Sequence, residues 1–323
     1  MKKLIVTGGS GFIGTNAVEF FENKGFDVLN IDIKEPKNGK RLSLWRKCDI
    51  TNLQEYKRIV LDFDPDCFLH LAARTDLLEA KKLDGYSANI EGVANTVHII
   101  GESNVKRSLF ASSRMVCKID YLPENEIDYC PPNLYGQSKV EGEKIVRDSQ
   151  LDCEWMIFRP TSIWGEYFDI PYRDFFDKIK QKQYFHPGKY DPNKSFGYVG
   201  NSVFQIEKLL TAPAKDIHGS TLYLADYPPI NLKHWANQVA REFGQKGIRT
   251  APTVLLKAAA IVGDLTKRLG LANPPLTSFR LNNLVTNMVY DTSTLQDICG
   301  ELPFNLEESV KRTVNWLVGL EKG

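Results

Sequence analysis

Apolar residues in the first half of the chain follow two alternating rhythms. Lys3–Thr7 is a run of strand-forming residues, and Phe12–Glu22 then places Ile13, Ala17, Phe20 and Phe21 on one helical face. The alternation continues with a strand at Phe26–Ile31, a weaker one at Trp45–Cys48, a helix at Leu53–Asp62 and a strand at Asp66–Leu71. A helix at Ala88–Glu102, a strand at Arg107–Ser112, a helix at Leu134–Ser149 and a strand at Cys153–Arg159 complete the series. Strands alternating with helices predict an α/β fold, a doubly wound parallel sheet of Rossmann type. Strands covered on both faces lose the in–out alternation and read as continuous apolar runs, as these do.

After Pro160 the rhythm loosens. Prolines punctuate the chain, among them Pro171, Pro187, Pro192, Pro213 and Pro275, and strand patterns become rare. This predicts a smaller, mostly helical C-terminal substrate lobe, with Gly197–Leu210 and Thr221–Leu224 returning to the sheet. The expected division is residues 1–160, rejoined by 197–225, for the domain of the sheet, and 161–196 with 226–323 for the second lobe. Within the lobe, Leu255–Leu269 has apolar residues at Leu256, Ala259, Ala260, Val262 and Leu265, with Lys257, Asp264, Lys267 and Arg268 interspersed. Such a helix can line an apolar pocket, rest on a membrane surface or pack within its lobe.

Composition narrows the function classes. Of the 323 residues, 41 are Lys or Arg and 40 Asp or Glu, a formal charge of +1 that supplies no global field for nucleic acid or an anionic membrane. The six cysteines are scattered without a C-x-x-C pair or a histidine at ligand spacing, so free thiols are expected and no metal site. Met1-Lys2-Lys3 and the apolar Leu4-Ile5-Val6 imitate the start of a signal peptide, but the run stops at Thr7-Gly8-Gly9. No later stretch is long enough to span a bilayer. A cytoplasmic protein is expected.

The first chemical signal is Thr7-Gly8-Gly9-Ser10-Gly11-Phe12-Ile13-Gly14, a T-G-x-x-G-x-x-G turn between a predicted strand and a predicted helix. Gly8 allows the sharp turn, Gly11 the close approach of a pyrophosphate, and Gly14 the close packing of helix on strand. Asp32 lies 18 residues beyond Gly14 at the end of the second strand. Its carboxylate is placed to accept both adenosine ribose hydroxyls and to repel a 2′-phosphate, which favours NAD over NADP despite Lys34 and Lys37 nearby.

The second signal is Tyr135-Gly136-Gln137-Ser138-Lys139, which puts Tyr135 and Lys139 on one face of a helix. Among 13 tyrosines such a pair is weak by itself, but Ser112 and Ser113 end a core strand, where sites on parallel sheets gather. The chemistry calls for such a trio. A tyrosine with its ordinary pKa near 10 is a poor base at neutral pH, and an ammonium within about 5 Å favours the phenolate. Ser113 would hold a substrate oxygen while Tyr135 moves its proton and a nicotinamide exchanges the hydride.

With these residues the chain resembles the extended branch of the short-chain dehydrogenase/reductase superfamily, over nearly all of its first 210 residues. The resemblance also rests on Asp49-Ile50 after the third strand, His70-Leu71-Ala72-Ala73 after the fourth, Asn89-Ile90-Glu91-Gly92, Arg159-Pro160 and Ser195-Phe196-Gly197-Tyr198-Val199. It implies cofactor contacts from Asp49, Ile50, Leu71, Ala72, Ala73, Asn89, Tyr135, Lys139 and Pro160, and a homodimer formed through the helix at Ala88–Glu102 and the one carrying Tyr135. The family pattern breaks in places. Cys117-Lys118 replaces the usual Tyr-Gly after Ser112-Ser113-Arg114-Met115-Val116, and the Asp-Glu pair of the 4,6-dehydratases is absent. Ser162 stands where many nucleotide-sugar enzymes carry Asn, and Lys194 where sugar epimerases often carry a phosphate-binding Arg. Arg114, Ser162 and Lys194 are the candidate substrate contacts. Val254–Leu269, Pro275-Leu276-Thr277 and Val289-Tyr290-Asp291 are instead similar to hydroxysteroid-dehydrogenase-like relatives.

The resemblance therefore implies an NAD-dependent epimerase or reductase of a nucleoside-diphosphate sugar. The alternative is a dehydrogenase of a sterol-like or other apolar secondary alcohol, and the third reading is a dinucleotide-binding protein without turnover. Ser113, Tyr135 and Lys139 together argue against the third.

Overall fold

The computed structural model describes residues 2–76, 81–170, 172–270, 274 and 276–320; Pro171 and Pro275 lie outside them. The alternating rhythm forms the elements β1 (Lys3–Thr7), α1 (Phe12–Asn23), β2 (Asp27–Asp32), β3 (Trp45–Lys47), α2 (Leu53–Phe63) and β4 (Cys67–His70). It continues through α3 (Ser87–Gly101), β5 (Arg107–Ala111), α4 (Leu134–Asp148) and β6 (Glu154–Pro160). With Thr221–Leu224 these strands make a seven-stranded sheet, ordered Thr221–Leu224, β6, β5, β4, β1, β2, β3. Every pairing in it is parallel. The order reverses between β1 and β4, the switch point where sheets of this kind bind ligands. Ile5, Leu29, Ile31, Phe68, Phe110 and Ile157 are buried with residues of α2 and α3, which accounts for the continuous apolar strands.

Gly197–Leu210 lies in the unit of the sheet, but mostly as a helix and not as one of its strands. Residues Val199–Thr211 form a helix that packs on α1 and β5. Its buried Val199, Val203, Ile206 and Leu210 recur every three or four residues, a helical period that outweighs the β-branched residues. Only Thr221–Leu224 joins the sheet as a strand.

Chain contacts divide the molecule into two compact units. The first comprises Met1–Phe168, Gly197–Ala225 and Asp291–Pro303. The second comprises Asp169–Phe196, Asp226–Tyr290 and Phe304–Gly323. Residues 161–168 and 291–303, assigned from sequence to the substrate lobe, thus lie with the sheet. Helix Ser293–Cys299 packs against strand Thr221–Leu224. The second unit is built around Trp235, whose indole stacks on Phe175 at 4.5 Å and meets Phe176 and Phe196 edge-on. Helices Leu232–Glu242 and Leu306–Leu320 pack together there. No helix among the described residues is long and apolar enough to cross a membrane.

Candidate active site

The glycine turn between β1 and α1 is shaped by close approach. Gly8 has φ +71°, and a Cβ on it would lie 2.7 Å from Ala72 N in the loop after β4. A Cβ on Gly14 would lie 2.0 Å from Gly8 O, so only glycine lets the helix close onto the turn. Gly11 is the N-cap of α1 and offers no side chain to its N–H groups. The first intrahelical bond is Thr15 N–H to Gly11 O at 2.9 Å. The N–H groups of Phe12, Ile13 and Gly14 therefore sit ahead of the ladder at the positive end of the helix dipole, an arrangement that holds phosphate.

Asp32 ends β2 beside this turn. One carboxylate oxygen accepts from Ser10 N–H at 3.0 Å and the other from Lys34 N–H at 2.9 Å, which fixes the carboxylate while leaving lone pairs for ribose hydroxyls. Lys37 donates to the Tyr167 carbonyl at 2.8 Å. Cradle and acid together fit a dinucleotide without a 2′-phosphate. NAD is expected to bind at least about tenfold more tightly than NADP, a difference of about 1.4 kcal/mol, in a fluorescence titration; equal affinities would contradict this role for Asp32.

The other expected cofactor contacts surround the turn or brace it. Asp49 accepts from Thr51 N–H and Oγ1 at 2.9 and 2.8 Å, and Ile50 behind it is buried. Leu71, Ala72 and Ala73 follow β4, where Leu71 N–H donates to Thr7 O and Ala72 N–H to Thr7 Oγ1. Asn89 is fully buried and works as a clamp. Its Oδ1 accepts from Arg74 N–H at 2.7 Å, and its Nδ2 donates to Arg74 O and Ser138 Oγ, tying the loop after β4 to α4. His70 is a core histidine, Nδ1 between the hydroxyls of Thr7 and Thr96, with burial and then the Lys139 charge driving its pKa down to about 3. Pro160 closes β6 opposite Leu224.

Ser113 and Tyr135 come together at the C-terminal end of β5. Ser113 opens a short turn, Arg114–Val116, and its Oγ accepts from Met115 N–H at 3.1 Å. Asn133 caps α4 by accepting from Gly136 N–H at 2.8 Å. Gly136, which sequence reasoning passed over, decides the spacing: a Cβ on it would lie 2.2 Å from Met115 O. Only glycine after Tyr135 lets the helix reach the serine turn this closely. The signal was present in the Tyr-Gly step of the motif.

The electrostatics differ from the sequence expectation. Burial pushes the Tyr135 phenol above its ordinary pKa, and Tyr86 adds to this. The neighbouring Ser113 hydroxyl and the Arg114 charge pull it down. Lys139, expected to exert that pull, donates instead to Ala111 O at 3.0 Å, and its ammonium is pushed down to about 8 by burial against the attraction of Glu143. Arg114 is only 7% exposed, and its Nη1 is buried without a hydrogen-bond partner. Among the described residues it makes no ion pair.

Two substrate candidates are buried. Ser162 lies in the first unit and is buried. Lys194 is 1% exposed in the second unit, and its ammonium donates to the carbonyls of Asn283 and Thr286 at the end of helix Ser278–Val285. Carbonyls at a helix C-terminus attract a cation, so Lys194 serves as a cap where a phosphate contact was expected. Cys117 is buried with its thiol pushed up by that burial, the state of an unreactive cysteine, and all six cysteines are unpaired.

The chain is 24% identical to a 3-beta-hydroxysteroid dehydrogenase of Mycolicibacterium neoaurum over 98% of its own length and 92% of the relative's. It is 23% identical to the N-acetyl-alpha-D-glucosaminyl-diphospho-ditrans,octacis-undecaprenol 4-epimerase of Escherichia coli O157:H7, covering 97% of this chain and 94% of that one. In fold it is similar to the UDP-glucose 4-epimerase of Thermotoga maritima solved with UDP-glucose, with TM-score 0.75, 18% identity and 99% of both chains covered. It is also similar to the UDP-glucuronic acid 4-epimerase of Bacillus cereus solved with NAD, with TM-score 0.72, 18% identity and coverage of 98% and 99%. Residues 4–225 match the model of one family throughout: the chain belongs to the NAD dependent epimerase/dehydratase family, and it is an enzyme that works with NAD.

Proposed function

We propose that the protein is an epimerase or reductase of a sugar carried on a diphosphate, acting at a secondary alcohol or ketone carbon with Tyr135 as acid and base. The observation that carries this reading is the buried Tyr135 phenol between Ser113 and the Arg114 charge, one helical turn before Lys139. Bound NAD supplies the acceptor and donor of the hydride. Ser113 orients the substrate oxygen, and Tyr135 takes its proton on oxidation and returns it on reduction. Lys139 lies on the same helical face and holds the end of β5 through Ala111 O. Arg114 supports an anionic substrate group close to the reacting carbon, since a guanidinium stays charged when buried and its Nη1 has no protein partner.

The test is direct. The NAD-loaded protein is incubated with nucleoside-diphosphate hexoses and uronic acids, and products are identified by NMR. Interconversion of a sugar is expected. Arg114→Met should raise KM for a carboxylated sugar by about tenfold or more, the value of a charge-assisted hydrogen bond, while sparing NAD affinity. Absence of conversion with any diphosphate sugar would overturn the reading.

The engaged ammonium of Lys194 favours a second reading, oxidation of an apolar secondary alcohol, because it withdraws the cation expected for the diphosphate. Turnover of a 3-hydroxysterol without turnover of any sugar would select it.

A further inference from the structure

The helix Thr253–Arg268 of the second unit turns most of its apolar side chains to solvent. Val254, Leu255, Ile261, Val262, Leu265 and the capping Leu269 are each between 57% and 77% exposed. At about 100° per residue they form one continuous stripe along the helix. The opposite face is already used: Thr253, Ala260 and Gly263 are buried, and Gly263 abuts the Leu276 carbonyl. The helix therefore cannot roll its apolar stripe inward without losing that packing. Phe279, on the helix packed beside it, is also half exposed.

Charge identifies the occupant. Lys257 and Arg268 are exposed along one edge of the stripe, and Lys267 follows in the last turn. Asp264, the acid within this helix, has its carboxylate held by Ser278 N–H at 3.2 Å. An apolar stripe edged by cations matches an anionic bilayer, where side chains enter the acyl boundary and the basic ends remain among headgroups. A second copy of the chain packed antiparallel on this face, about a twofold axis across the helix, would set the same basic edge against itself. We infer that helix Thr253–Arg268 docks the protein on an anionic membrane surface, lying in the interface without crossing it.

The experiment uses the full chain loaded with NAD and sedimented with vesicles of phosphatidylcholine, with or without phosphatidylglycerol. Binding to the anionic vesicles is expected to exceed binding to neutral ones by about tenfold and to fall with salt. Ile261→Glu with Leu265→Glu should lower anionic-vesicle binding by about tenfold or more, and Lys257→Glu with Arg268→Glu should abolish the lipid preference. All four side chains are exposed, so melting temperature and NAD affinity should stay unchanged as a check on folding. Wild-type protein that remains in solution with both vesicles overturns the inference. So does a dimer in sedimentation velocity that Ile261→Glu with Leu265→Glu dissociates, when vesicle binding is absent.

Discussion

Replacing Arg159 by Met is expected to remove about 3–5 kcal/mol of stability, a third or more of what many domains possess. Arg159 on β6 meets Glu143 on α4 through two hydrogen bonds, at 2.8 and 2.7 Å, and both side chains are 1% exposed. The guanidinium also donates to Glu126 O at 2.6 Å and lies over the rings of Tyr129 and Tyr223. Without it the buried Glu143 carboxylate keeps Tyr129 donating at 2.9 Å and the Arg147 guanidinium at 3.9 Å, but loses both of its charge-assisted hydrogen bonds. Urea unfolding measures the loss, and a change below about 1 kcal/mol would refute the argument. The double replacement Arg159→Met with Glu143→Leu should recover much of the loss, because the stranded charge is gone.

The second large effect concerns turnover. Tyr135→Phe removes one oxygen at the end of β5 and should lower kcat by about a hundredfold or more, with NAD affinity unchanged. Burial holds the phenol protonated at neutral pH, so the fraction able to accept a proton grows as pH rises. Alcohol oxidation by the wild type should therefore accelerate on the alkaline side of neutrality, and the Phe variant should lose that dependence. Retention of most activity by Tyr135→Phe on an identified substrate would exclude the phenol as acid and base.

The parallel sheet and the glycine turn were legible because each depends on local sequence. Continuous apolar runs separated by helical periods leave few other arrangements, and Gly8, Gly11 and Gly14 stand between strand and helix. What stayed hidden depends on where a long side chain ends. Lys194 and Lys139 each carry a flexible stem, and their ammonium groups come to rest on main-chain carbonyls that no spacing rule announces. Arg114 was legible as a residue but not as a buried cation, since burial of a side chain in a turn is set by packing from α4. The helix at Leu255–Leu269 was legible as amphipathic with its role open. Which of its apolar faces is packed follows from Gly263 against Leu276, a tertiary contact.

The first unit does not end where its sheet ends. Strand Thr221–Leu224 is an edge of the seven-stranded sheet, and the helix that packs against it, Ser293–Cys299, is encoded some seventy residues later. Between them runs much of the second unit. During synthesis this strand is therefore made well before the helix that packs on it, with much of the second unit in between. A fragment cut at residue 225, where the family match stops, carries every glycine of the phosphate turn and still leaves that strand without its cover. An unprotected strand edge recruits other chains. The helix that packs on the edge strand thus reaches the first unit only after much of the second unit has been encoded.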